Sequence, residues 1–185
     1  MTLLIVYKRK TPVFIKNIAK SLSVLVDSVI ENNYDAKKDL NLINSVMECE
    51  ECNKAIYFES TKRANKFWIT DSIQTVKYCI ESSVPMDQIQ PKYEKKDNDG
   101  HILIFSDNFD PKIEKIFTKV FESNSKEIKR ILCFIELKGK LYLRQYSNNS
   151  ALDEIGPRIT LNLEKILEGS FKGECIYNYK QPNRN

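Results

Sequence analysis

Apolar positions along the chain change period several times, and each change marks an element. Residues 2–7 (TLLIVY) are an almost uninterrupted apolar run, the pattern of a buried strand. Three consecutive cations, Lys8, Arg9 and Lys10, end it. Thr11-Pro12 predicts a helix start, with a hydroxyl cap and a proline at the first helical position. Ile15, Ile18, Leu22, Leu25, Val26 and Val29 give that helix its apolar stripe. After a polar connection at 32–38, Asp39 can cap a second helix whose inner face is Leu42, Ile43, Val46 and Met47. Residues 55–59 read as a strand, 62–66 as a basic hairpin loop carrying Lys62, Arg63 and Lys66, and 67–69 as the partner strand. A further strand spans 73–80, with Val76, Tyr78 and Ile80 on one face.

Residues 91–100 (PKYEKKDNDG) are charged, turn-rich and nearly free of apolar side chains, the composition of a linker. The pattern then begins again. Residues 101–105 are an apolar strand. Asp110-Pro111 caps and starts a helix striped with Ile113, Ile116, Phe117, Val120 and Phe121. Residues 131–137 and 141–145 are strands around a tight basic hairpin, Lys138-Gly139-Lys140, and Arg144 lies on the returning strand. From 152 the chain turns through Gly156-Pro157. It then alternates, Ile159, Leu161 and Leu163 against Arg158, Thr160 and Asn162, the period of a half-buried strand. Ile166 and Leu167 suggest a short helical turn that Gly169 would end.

The two runs match in order: TLLIVY with HILIFS, AIYFES with ILCFIE, KFWITD with KLYLRQ, IQTVKYCI with GPRITLNL. Each match is weak, but the shared order points to an internal duplication. The expected organisation is one α/β domain over 1–185, with halves 1–90 and 101–185 joined by 91–100; the first half has an additional helix.

Composition narrows the function classes. With 185 residues, 42% of them hydrophobic, the chain can bury a sizeable core. The net charge of +4 is spread over both halves, so a nucleic-acid surface has to come from local clustering. Residues 3–6 are too short an apolar run for a secretory core or a membrane span. With five cysteines, an odd count, this favours a reducing compartment. Cys49 and Cys52 form one C-x-x-C, but a structural zinc site wants a second pair or nearby histidines, and the single histidine is His101. Glu50-Glu51 between the sulfurs disfavours a redox thiolate.

The Lys8–Lys10 triplet, between a strand and a helix N-terminus, is either a phosphate site or a solvated loop. Trp68 is either a base-stacking platform or core, and its apolar neighbours favour core. Arg158, beside a rigid turn, either faces a partner or pairs with Asp153 or Glu154. An enzyme needs a constellation. Asp107 with Asp110, or Asp153 with Glu154, could hold magnesium, but Asp110 is already used as a cap, adjacent acids on a strand point to opposite faces, and His101 has no evident triad partner.

EIGPRITLNLEKILEGSFKG, residues 154–173, resembles the signature of the Brix-domain proteins of ribosome assembly, and within them the branch for which the family is named. TLLIVYKRK resembles that family's opening strand and basic loop, and residues 37–60 its second helix and following strand; Tyr177 and Pro182-Asn183 occupy comparable places. This chain departs at Ile159, where an aromatic is usual, at Lys172, where glycine is usual, and at Ile73-Gln74, where the first half has no Gly-Pro. The resemblance implies two pseudo-symmetric α/β halves, each similar to the anticodon-binding domain of class II aminoacyl-tRNA synthetases. It also implies binding of pre-ribosomal RNA in the nucleolus during large (60S) subunit assembly, within the pre-60S particle and beside a protein assembly factor. No catalysis or cofactor is implied. The residues expected to meet RNA are Lys8, Arg9, Lys10, Lys62, Arg63, Lys66, Lys138, Lys140, Arg144 and Arg158. A protein scaffold with little RNA contact is the rival expectation.

Overall fold

The repeated strand order takes the form of one continuous sheet. The computed structural model describes residues 2–34, 39–90, 99–123, 125 and 127–178. Its elements are β1 (Leu3–Tyr7), α1 (Val13–Ser23), β2 (Ser28–Glu31), α2 (Asn41–Cys49), β3 (Lys54–Ser60), β4 (Asn65–Thr70), β5 (Gln74–Val84), the short α3 (Met86–Ile89), β6 (Gly100–Phe105), α4 (Pro111–Phe121), β7 (Ile128–Leu137), β8 (Lys140–Ser147), β9 (Arg158–Glu168) and β10 (Cys175–Asn178). The sheet order is β2-β1-β3-β4-β5-β9-β8-β7-β6, with β10 on β9. Outward from the β5–β9 seam, each side runs through two antiparallel neighbours to a parallel pair, β3 with β1 and β7 with β6, and the first half adds β2 in parallel outside β1. The stretch from Gly156 onward thus supplies the seam strand of the second half, and antiparallel β5 and β9 point the two halves in opposite directions.

Both faces of the first half are covered, and each covering follows from sequence periodicity. α1 and α4 lie on one face, over a core that runs through both halves. Phe117 of α4 ties them together, with ring centroids 6.1 Å from Tyr78 of β5 and 4.9 Å from Phe134 of β7. α2 and Phe171 cover the opposite face of the first half, over Leu4, Val6, Tyr57 and Trp68. Trp68 is therefore core; its Nε1 donates to Glu59 at 3.0 Å, and it carries the Lys77 ammonium 4.4 Å from its ring.

The helix starts differ. α4 is capped as expected, Asp110 Oδ1 accepting from the N–H groups of Lys112 (2.8 Å) and Ile113 (3.2 Å). Asp110→Ala should lower stability by about 1 kcal/mol, seen as a lower urea midpoint at unchanged slope. The Thr11 cap does not form. Pro12 takes the cap position without a side-chain bond, and the Thr11 N–H instead donates to Lys8 O at 3.0 Å. At α2 the Asp39 carboxylate accepts from Asn41 N–H at 2.9 Å, while Leu40 holds the cap position and Leu42 faces solvent.

Two boundaries move. α1 ends at Ser23, not Val29: the Ser28 hydroxyl donates to Ser23 O at 3.1 Å, and Ser28–Glu31 pairs in parallel with β1. Ile166 and Leu167 form no helical turn, because β5 pairs with them on one side and β10 on the other. Of the expected linker, residues 91–98 lie outside the described residues, and Gly100 opens β6.

Candidate nucleic-acid interface

Parallel pairing decides where the basic residues go. Tyr7 of β1 lies opposite Phe58 of β3, so the segment leaving β1 and the turn leaving β3 emerge at one end of the sheet. The first carries Lys8, Arg9 and Lys10, the second Lys62 and Arg63. Lys8 is half-buried and the other four are exposed. Among the described residues, none of the five has an acidic partner within ion-pair distance. Both loops are fixed by their own bonds. Lys16 Nζ donates to Arg9 O at 2.8 Å, and Thr61 Oγ1 accepts from the N–H groups of Arg63 (3.3 Å) and Ala64 (3.1 Å). The backbone is held while the charges stand in solvent, as positioning contacts to phosphates require. The N-terminus of α1 follows directly and has no side-chain cap, so the positive end of its dipole adds to this pole.

The second half does not repeat this pole. Where β1 is followed by Lys8-Arg9-Lys10, β6 is followed by Ser106-Asp107-Asn108. Its hairpin tip, Lys138-Gly139, is exposed and has positive φ at both residues (53° and 72°). Lys138 thus stands at the opposite end of the sheet, beside an acidic loop.

The remaining four candidates belong to ion pairs. Lys66 is not in the hairpin loop but in β4, where it pairs with Glu164 of β9; burial opposes its charge, and Glu164 outweighs it and raises the pKa. Lys77 joins them, 3.4 Å from Glu59 and 3.8 Å from Glu164. Lys140 is 2.6 Å from Glu81, and that bond raises its pKa. Arg158 is bidentate on Glu154, Nε to Oε1 at 2.8 Å and Nη2 to Oε2 at 2.6 Å. Arg144 lies 4.0 Å from the same carboxylate and donates to Leu143 O and Ile159 O. The Gly156-Pro157 turn holds Arg158 against its own chain, so the pairing alternative is the one realised.

Lys16 and the glutamates at 81 and 164 were not singled out by sequence, whereas Glu154 was, as one of the two acids offered to Arg158. Lys16 had a signal, since side chains of a first helical turn point back toward the preceding loop. Glu164 had none, being 98 residues from Lys66. Asp153 accepts from Asn149 Nδ2 at 3.2 Å, and His101 is buried with Nε2 against Phe121 O. Cys49 is exposed, whereas Cys52 is buried, and its thiol pKa is raised by that burial and by Glu50. No group of three metal-ligating side chains occurs among the described residues.

The Brix domain family model matches residues 8–165. The chain is 28% identical over 181 residues to a ribosome biogenesis protein BRX1 homolog of Xenopus laevis, covering 87% of this chain and 53% of that one. It is also 28% identical to the homolog of Dictyostelium discoideum (89% and 58% covered) and 27% identical to that of Homo sapiens (84% and 50%). The chain thus spans about half the length of these relatives. In fold it is similar to a crystal structure of a probable ribosomal biogenesis protein from Aeropyrum pernix K1, with TM-score 0.59, 10% identity, and coverage of 87% of this chain and 95% of that one.

Proposed function

The chain belongs to the Brix-domain family, and from that premise we propose that it is a non-catalytic ribosome biogenesis factor that binds pre-ribosomal RNA during large-subunit assembly. It works as a single domain within the pre-60S particle, in the nucleolus, beside a protein assembly factor. The observation that carries this reading is the pole of Lys8, Arg9, Lys10, Lys62 and Arg63, five cations on fixed backbone without acidic partners among the described residues. Such a pole meets the backbone of a folded RNA by shape and charge and reads little base sequence. The relatives' names support the setting.

The test is binding of the native chain to a structured large-subunit rRNA fragment across a salt series. Five phosphate contacts on a duplex give a slope near −4.5 in log affinity against log salt, about a 500-fold loss between 50 and 200 mM. A flat slope, or no binding at 50 mM, overturns the RNA reading in favour of a protein scaffold. The scaffold reading has its own support, because four of the ten expected RNA-binding cations are neutralised within the chain.

A further inference from the structure

The two helices over the shared core, α1 and α4, differ at their exposed first turns. The buried stripe Ile15-Ile18-Leu22 of α1 matches Ile113-Ile116-Val120 of α4, which puts Phe14 where α4 has Lys112. Lys112 is a charged side chain in water, the ordinary choice for the outer face of a helix. Phe14 is 44% exposed, and the preceding Val13 is 71% exposed. Other rings are withdrawn: among the described residues only Phe14 and Tyr177 are exposed aromatics, and Tyr177 is on β10. One exposed apolar side chain needs no explanation by itself, but the setting of this one does. Phe14 comes four residues after Lys10, at the end of the sheet where Lys8, Arg9, Lys10, Lys62 and Arg63 stand without acidic partners among the described residues. In the second half the loop before α4 is Ser106-Asp107-Asn108, and the aromatic that follows it, Phe109, is buried. The exposed ring and the basic triplet occur together in one copy, and neither occurs in the other.

We propose that Phe14 is a stacking platform for one unpaired nucleotide of a bulged or looped RNA, whose flanking phosphates the cation pole holds. The inference rests on the RNA reading and names the part of the RNA that this pole takes. Cations alone suit any phosphate backbone, paired or not. A ring in their midst contributes only where a base can leave its own stack, as in loops, bulges and ends. A phenyl ring carries no hydrogen-bonding atom, so the subsite selects an unpaired base without selecting which base.

The test uses the full chain and two RNA hairpins built on one stem. One carries a single bulged 5-iodouridine; in the other that base is paired with adenosine. The native chain should bind the bulged hairpin roughly tenfold more tightly, and irradiation should crosslink the bulged base to Phe14, mapped by mass spectrometry. Phe14→Leu should abolish both the preference and the crosslink, whereas Phe14→Trp should keep both. Leucine retains an apolar contact but has no π face, so this pair of variants separates stacking from burial. The salt slope of Phe14→Leu should equal that of the native chain, because no phosphate contact is removed. Urea unfolding checks the variants, and the comparison of the two hairpins on the native chain stands independently of them. Equal affinity for both hairpins with a steep salt slope overturns the stacking inference and leaves the RNA reading in place. A crosslink that maps away from Phe14 does the same. No binding of either hairpin at about 50 mM salt overturns both.

Discussion

Replacing Lys8, Arg9, Lys10, Lys62 and Arg63 together by glutamate is expected to lower affinity for a structured large-subunit rRNA fragment roughly a thousandfold at 50 mM salt and to flatten the salt slope. That is about 4 kcal/mol over five positions, less than about 1 kcal/mol each, which is modest for a cation leaving a phosphate. The magnitude depends on the five acting together. They do so because β1 and β3 are parallel and discharge their C-terminal loops at one end of the sheet. Folding should be spared, since four of the five side chains are exposed and the loops are held by Thr61, Lys16 and main-chain bonds. The matched control is Lys140→Gln. Lys140 also carries a charge near a hairpin, but Glu81 already holds it at 2.6 Å, so its loss should change RNA affinity by less than about threefold. Equal effects at the pole and at Lys140 would show that bulk charge, not the pole, binds RNA. Filter binding or fluorescence anisotropy across 50–200 mM salt separates the two.

The same contrast shows how far sequence carried the reading. The strands along the chain and the α4 cap were legible because each is local, alternation and an Asp-Pro pair being contained within a few residues, and the duplication was legible because the same local patterns recur in the same order. What α1 and the end of β9 do was not, because tertiary pairing decided both. Ile166 and Leu167 are as apolar as a helical turn needs, yet β5 and β10 offer them hydrogen bonds on two sides. Among the expected RNA contacts, Lys8, Arg9, Lys10, Lys62 and Arg63 have no acidic partner among the described residues, because their loops leave the sheet. Lys66, Arg144 and Arg158 sit on strands, where the residue across the sheet sets the environment. Only for Arg158 was its partner close in sequence, four residues away at Glu154.

Arg130→Met should destabilise the chain by about 3 kcal/mol, and Arg130→Ala by about 4–5 kcal/mol, the largest stability effects expected of any single position discussed. Arg130 is a β7 residue with no exposed surface. Its Nη1 donates to Val24 O at 3.2 Å and its Nη2 to Asp99 O at 2.6 Å. Val24 closes α1 of the first half, and Asp99 leads into β6 of the second, so one guanidinium holds the two halves at a point far from the β5–β9 seam. Exchanging a buried ion for a hydrophobe of similar volume is often neutral when its partners are exchanged too. The Val24 and Asp99 partners are main-chain carbonyls, which no substitution removes, so Met leaves both without this donor. Ala adds a cavity to the same loss. Lysine keeps the charge but not the planar fork, and reaches one carbonyl at most, so Arg130→Lys should fall between the native chain and Met. For a chain of this length, 3 kcal/mol corresponds to a fall of about 6–12 °C in Tm. Urea unfolding and calorimetry check it; a loss below about 1 kcal/mol for Arg130→Met would mean that the seam and the α4 core hold the halves without this bridge.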